Sequence, residues 1–292
     1  MKLATFVLNG KQHVGALTER GLVPFSAGQT NDVGDLLRHG ADGVRLRAML
    51  ASGLPAVDPA SVSFLPPILT PPKIVCVGLN YADHTKESPY EQPDYPTLFL
   101  RVNTSLIGDG AALERPLCSD SLDYEGELAV VLGSGGRHIS KDRALDCVFG
   151  YSVFNDGSVR EYQFKSPQWT VGKNFDRTGA FGPYVVTADE LPAGAKGLLL
   201  QTRLNGEVVQ SANTDDMIYD VASLISIISE AITLQAGDVI VAGTPSGIGW
   251  AREPKLLMRH GDVVEVSIEN IGVLTNPVRD ESASAADAAG KR

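Results

Sequence analysis

Two glutamates one residue apart, Glu125-Gly126-Glu127, lead into the apolar run Leu128-Ala129-Val130-Val131. Side chains alternate along a strand, so Glu125 and Glu127 project from one face, where neighbouring carboxylates repel unless a cation lies between them. A second apolar run, Gly150-Tyr151-Ser152-Val153-Phe154-Asn155, ends in Asp156. Joined to the glutamate pair, Asp156 completes a three-carboxylate site with neither His nor Cys. That donor set suits a hard cation, Mg2+, Mn2+ or Ca2+, and disfavours zinc or copper. Upstream, Asn80-Tyr81-Ala82-Asp83-His84-Thr85-Lys86-Glu87 places His84 and Glu87 three apart. On a helix they share a face, and a carboxylate beside an imidazole orients it and makes it a better base.

Groups suited to an anionic substrate follow the carboxylates: Arg160, Gln163 and Lys173. A lysine in a neutral-to-apolar loop of an acidic chain suits a substrate carboxylate or a developing enolate oxygen. In Gly243-Thr244-Pro245-Ser246-Gly247 the backbone amides and the Thr244 hydroxyl offer another place for a carboxylate. This loop lacks the Gly-Lys-Ser/Thr ending of a phosphate loop, and Gly133-Ser134-Gly135-Gly136 is not followed by a strong helix, so neither supports nucleotide binding. Each motif alone also has an ordinary reading: a solvated strand edge, a strand-end turn former, an exposed helix with an incidental pair, a surface lysine.

The elements that must position these residues divide at the Pro-rich stretch Leu65-Pro66-Pro67 to Thr70-Pro71-Pro72, too stiff for a helix or a central strand. Residues 1–70 read as a small α+β domain with a helix over Val33–Leu50, residues 71–280 as a catalytic domain that is mostly strand, and residues 281–292 as a disordered tail. Strands are expected at 73–78, 126–132, 148–154, 184–187, 238–242 and 262–268, with a hairpin over 198–210 turning at Asn205-Gly206. A helix over Asp215–Ala231, capped by Thr214, carries Met217, Val221, Leu224, Ile225 and Ile228 as a core stripe.

Bulk properties narrow the function. The chain has 292 residues, 43% of them hydrophobic, and a formal charge of −10. That composition is globular, and the charge works against nucleic acid or an anionic membrane as partner. The N-terminus is too short in apolar residues for a signal peptide, and no stretch approaches a membrane span, so a cytoplasmic location is expected. Cys76, Cys118 and Cys147 are odd in number and far apart, which fits a reducing compartment and buried packing.

Six motifs in one order, Gly78-Leu79-Asn80-Tyr81…His84…Glu87, Asp123-Tyr124-Glu125-Gly126-Glu127-Leu128, Gly150-Tyr151…Asn155-Asp156…Arg160…Gln163, Gly172-Lys173…Phe175-Asp176, Asn205-Gly206-Glu207 and Gly243-Thr244-Pro245-Ser246-Gly247, resemble the fumarylacetoacetate hydrolase family. The resemblance runs from about Lys73 to Val278, with residues 1–70 matching loosely as a variable N-terminal domain. It implies a mixed β-roll in the C-terminal domain and a homodimer. It also implies Mg2+ or Mn2+ held by Glu125, Glu127 and Asp156, a mobile lid carrying a water-activating His84-Glu87 pair, and Lys173 beside the metal. The family includes hydrolases of acylpyruvates and other β-diketones, decarboxylases of oxaloacetate-type acids and isomerases of hydroxymuconate-type dienes. The paired His84 and Glu87 favour a metal-dependent hydrolase cleaving a C–C bond in an acylpyruvate-type 2-oxo acid, because decarboxylation needs no activated water. A decarboxylase, an isomerase and a non-catalytic 2-oxo acid binder stand as alternatives. The far end of the substrate falls to residues such as Tyr90, Tyr95, Arg101 or Trp169.

Overall fold

The structure is a computed structural model and describes residues 1–25, 30–87 and 94–282. It is mostly β and mixed. One eleven-stranded sheet runs in the order Gly21–Pro24, Lys11–Thr18, Lys2–Leu8, Gly179–Thr187, Val148–Asp156, Gly126–Leu132, Val239–Val241, Ile74–Gly78, Thr97–Leu100, with two short strands pairing at its side. Neighbours along this order are antiparallel except Val239–Val241 with Ile74–Gly78. A five-stranded sheet packs against it, in the order Glu207–Asn213, Leu199–Leu204, Val263–Ile268, Gly272–Asp280, Leu113–Arg115.

Alternation in the central strands decides which side faces what. Leu128, Val130 and Leu132 point into a core shared with Val264 and Val266 of the second sheet and with Leu224, Ile225 and Ile228. Ala129 and Val131 point the other way, into a core with Leu3, Val33, Leu36, Leu46 and Ile68 from the first 70 residues. Glu127 has the parity of Ala129 and Val131, so the carboxylates lie on the face that the N-terminal residues cover farther along the sheet. Those residues also extend the sheet itself, because Lys2–Leu8 pairs with Gly179–Thr187. The Pro-rich stretch is built in: Pro67 O accepts from Thr5 Oγ1 at 2.7 Å and from Val33 N at 3.0 Å.

Two expected helices are redrawn. The one over Val33–Leu50 is two, Val33–Arg38 and Gly43–Ala51, because Asp32 and Asp42 each cap a first turn of their own. The one over Asp215–Ala231 begins at Val221, with Asp220 rather than Thr214 as its cap. Residues 214–216 form a separate 3-10 turn, and the chain between is extended because Ile218 N and Tyr219 N donate to Asn80 O and Asn80 Oδ1, both at 2.8 Å. Of the cysteines Cys76 alone is buried; Cys118 is exposed and Cys147 half-buried. The tail expected to be disordered over residues 281–292 lies outside the described residues from 283 onward. No helix among the described residues is long and apolar enough to cross a membrane.

Asp220 accepts from Ser223 N at 2.9 Å and Ser223 Oγ at 2.6 Å. Burial raises its pKa, but Ser223, Lys196 and Lys141 outweigh that and hold it below the usual carboxylate value of 3.8. A depressed acid stabilises the fold above its unfolded pKa and loses that contribution as pH falls through the folded one. Asp220→Ala is therefore expected to cost about 1 kcal/mol at pH 7. The cost should shrink in acid, read by urea denaturation at both pH values.

Candidate functional site

The register between the two central strands assembles the carboxylates. Gly126 lies opposite Asn155 and Glu127 opposite Phe154, which puts Asp156 across from Glu125. Asp156 N donates to Glu125 O at 2.9 Å, and Asn155 Oδ1 accepts from Glu125 N at 3.0 Å, so the pairing continues past the last strand residue. The three carboxylates are buried, with one oxygen from each within 4.8 Å of the others.

Buried bases surround this trio. Lys173 Nζ lies 2.7 Å from both Glu125 Oε2 and Asp156 Oδ2. Arg160 pairs with Glu125 Oε1 at 2.5 Å and with Asp123 Oδ2 at 2.8 Å, and Arg101 is bonded to the other Asp156 oxygen. Short helical turns, Arg160–Gln163 and Thr170–Lys173, deliver the first two cations. These turns touch because residue 172 is glycine: a Cβ there would sit 2.3 Å from Gln163 N. Among the described residues no ion pair reaches Glu127, whose Oε2 accepts only from Gly243 N, at 2.5 Å.

The ionisation follows from these neighbours. Burial pushes Glu125 up, but Lys173, Arg160 and His84 outweigh it and hold the carboxyl at about 2. Burial also drives Glu127 up, and Asp156 and Glu125 add to it, leaving Glu127 well above its ordinary value. Burial works against the Lys173 ammonium, yet Asp156 and Glu125 raise its pKa on balance, so Lys173 stays charged at neutral pH. The trio thus holds an uncompensated carboxylate among oxygen donors, which fits a hard divalent cation.

Across the same cavity His84 Nδ1 meets Glu87 Oε1 at 2.9 Å, on the helix Ala82–Glu87. Glu87 is itself fixed by Gly247 N, at 3.0 and 2.9 Å to its two oxygens. The dyad leaves Nε2 as the ring nitrogen that Glu87 does not engage. The 243–249 loop does hold carboxylates, as its sequence suggests, but they are the protein's own: Glu127 on Gly243 N and Glu87 on Gly247 N.

His84, Glu87, Glu125, Glu127, Arg160, Gln163, Lys173 and Thr244 all line one cavity, with Asp156 behind Lys173. Thr244 contributes less than its sequence context suggests, because its hydroxyl donates to Gly126 O at 3.0 Å and accepts from Gln210 Nε2 at 2.9 Å. Arg160 Nη2 is buried and has no partner among the described residues, which marks it as a donor for a bound anion. Of the residues set aside for the far end of a substrate, Trp169 lines the cavity, Tyr95 is exposed and Tyr90 lies outside the described residues. Arg101 lies beneath the carboxylates instead, bonded to Asp156, Ser105 and Thr178. Asp123, which stands in the second motif but was given no role there, is fully buried and accepts from Arg160, Gly249 N and Trp250 N, so it positions both the guanidinium and the cavity wall. Its signal was an acid two residues before a glutamate, with the parity of the glutamate pair.

A family model described as fumarylacetoacetate (FAA) hydrolase C-terminal matches residues 73–279. A mitochondrial oxaloacetate tautomerase of Homo sapiens is 41% identical over 234 residues, 80% of this chain and 74% of its own. The fumarylacetoacetate hydrolase structure from psychrophilic Exiguobacterium antarcticum is 36% identical and superposes with a TM-score of 0.85, covering 96% of this chain and 100% of that one. A maleylpyruvate hydrolase from Sphingobium sp. SYK-6, solved with manganese(II) and pyruvate, is 26% identical with a TM-score of 0.79 and covers 97% and 100%. Motif order, fold and the match over residues 73–279 agree: the chain belongs to the fumarylacetoacetate hydrolase family.

Proposed function

We propose that this protein is a divalent-metal-dependent hydrolase that cleaves the C3–C4 bond of an acylpyruvate-type 2,4-dioxo acid, releasing pyruvate and a carboxylic acid. The observation that carries the reading is a His84–Glu87 dyad, its imidazole buried, facing Glu125 and Glu127 across one cavity, with Asp156 beside them to complete the trio. Mg2+ or Mn2+ is the proposed ion, supported by the oxygen-only donors and by the manganese bound in the Sphingobium relative. Bound there, such an ion supplies Lewis acidity to the carboxylate and 2-oxo oxygens of the substrate.

The chain's own groups divide the remaining work. Lys173 is held as an ammonium by two carboxylates, so it cannot serve as the base. That role falls to His84, oriented through Nδ1 by Glu87. His84 takes a proton from water, and the hydroxide adds to the C4 carbonyl. The C3–C4 bond then breaks with its electron pair moving to C3, giving the acid and a pyruvate enolate. Lys173 stabilises the enolate oxygen, and the proton on His84 passes to C3 to complete pyruvate. One water is consumed for each bond cleaved. Arg160 Nη2 is the donor for the substrate's 1-carboxylate. The homodimer implied by the family belongs to the same proposal.

The identity to an oxaloacetate tautomerase favours a second reading, in which the same base removes and returns a C3 proton without water attack. The two separate in one assay on Mn2+-loaded protein. Pyruvate release from 2,4-dioxopentanoate supports hydrolysis. Keto–enol exchange of oxaloacetate with no such release replaces it by the tautomerase.

His84→Ala is expected to lower kcat for pyruvate release by about 100-fold or more while keeping the metal-induced rise in Tm. Full activity in this variant would remove His84 as the base. Metal itself is expected to stabilise the stripped protein, by about 2.7 kcal/mol at a hundred times Kd, and Glu127→Gln to abolish that gain. A pH series adds a sign. Without metal, folded Glu127 keeps a proton that the unfolded chain loses above 4.5, so stability should fall as pH rises from there towards the folded pKa. Glu127→Gln should remove that fall, read by urea denaturation from pH 5 to pH 8; a persistent slope would locate the raised proton elsewhere.

A further inference from the structure

The cavity has two unlike halves. One holds the carboxylates, their cations and His84; the other is walled by Phe99, Phe164, Trp169, Ile248 and Trp250. Trp169 is 9% exposed and meets Phe99 edge-on, 5.6 Å between ring centres at 64°. Its indole reaches this position because residue 78 is glycine: a Cβ there would lie 2.3 Å from Trp169 Cζ3. Phe164 and Trp250 lie 5.9 Å apart in the same wall. Trp250 is held by its own amide on Asp123, the carboxylate that also holds Arg160, so the wall and the charged half share an anchor.

Charge at the far end is the deciding observation. Among the described residues that line the cavity, the Lys and Arg side chains are Lys173 and Arg160, and both are paired with carboxylates of the charged half. Arg160 Nη2 lies with that half and is taken by the substrate's 1-carboxylate. Lys255 Nζ lies over the Trp250 ring, 3.1 Å from its centroid, but is not among the residues that line the cavity. A second carboxylate beyond C4 would therefore meet aromatic rings and no lining Lys or Arg among the described residues, and an unpaired buried charge is heavily penalised. An alkyl or aryl group there gains apolar and ring contacts instead.

Resting on the hydrolase reading above, we infer that this half is a specificity subsite that accepts an uncharged apolar acyl group and rejects a second carboxylate. The substrates are then 2,4-dioxo monoacids with an alkyl or aryl tail, and dioxo diacids are excluded. The wall discriminates by what it lacks as much as by what it offers.

The test uses a pair matched in chain length, 2,4-dioxoheptanoate and 2,4-dioxoheptanedioate, with Mn2+-loaded protein. Wild-type kcat/KM for pyruvate release is expected to favour the monoacid by about 100-fold or more, since the diacid must bury an unpaired charge. Phe164 is partly exposed, so Phe164→Arg can be accommodated; it is expected to raise the diacid's kcat/KM and narrow the ratio by about tenfold or more. Calorimetric titration of the His84→Ala protein with the same two acids gives their Kd values without turnover, and the monoacid is expected to bind more tightly. Equal or better turnover or binding of the diacid by protein with the native wall overturns the inference. Failure of the wild type to release pyruvate from either acid overturns the hydrolase reading, while the calorimetric ranking still decides the subsite.

Discussion

Four carboxylates and three bases are packed together with almost no exposed surface, and the rest of the molecule is arranged around that imbalance. Asp123, Glu125, Glu127 and Asp156 face Arg101, Arg160 and Lys173, all nearly or fully buried. Ions removed from water need close partners and remaining hydrogen bonds satisfied, or they neutralise. Three of the acids obtain a cation each or more. Glu127 obtains a single amide, and its raised pKa is the result. A dication beside the trio turns a cluster short of one positive charge into one with a surplus of one. That surplus suits an anionic 2-oxo acid.

Holding such a cluster requires rigid supports on every side, and the sheet supplies them. Glu125, Glu127 and Asp156 come from adjacent antiparallel strands whose register is fixed by apolar side chains on both faces. Arg101 reaches in from the end of Thr97–Leu100 and is held by Ser105 and Thr178. The loop at 243–249 links the two halves of the chemistry. Gly243 N holds the Glu127 carboxylate, and Gly247 N holds the Glu87 carboxylate that orients His84. A shift of this loop therefore moves Glu127 and the His84–Glu87 pair together, and Gln210, bonded to Gly126 N, Thr244 Oγ1 and Pro245 O, pins it to the second sheet's edge strand.

Much of this was legible because its signals are local. Alternation along Glu125 to Val131 put both glutamates on one face, the end of an apolar run exposed Asp156, and i,i+3 spacing joined His84 to Glu87; the structure brings these together as read. Features set by distant partners were not legible. Arg101 was set aside for the far end of a substrate, and nothing near it in sequence points to the carboxylates instead, since Asp156 and Thr178 meet it only in the fold. Thr214 has the composition of a helix cap, yet its hydroxyl donates to Ala195 O and accepts from Leu198 N, and Asn80 holds the following residues extended. The long helix over Val33–Leu50 failed for a local reason that was visible but outweighed: Asp42 is itself a good cap and starts a second helix.

Hydrolase and tautomerase readings share the base, the metal ligands and the enolate, so the charged half of the cavity does not choose between them. What differs is the atom beyond C3. Oxaloacetate carries a carboxylate there, and an acylpyruvate carries a ketone followed by its tail. A carboxylate in that position needs a donor that is not already spent on the protein's own acids. Lys173 is so engaged, the Arg160 nitrogen left over, Nη2, is assigned to the 1-carboxylate in either reading, and the Thr244 hydroxyl is committed to Gly126 O. A ketone asks for less: polarisation during attack, and room for an uncharged group behind it. Trp169, Phe99 and their neighbours provide that room without offering a charge. The proposed hydrolysis rests on the cavity's Lys and Arg being used up at one end, so the proposal stands or falls with how the buried charges are distributed.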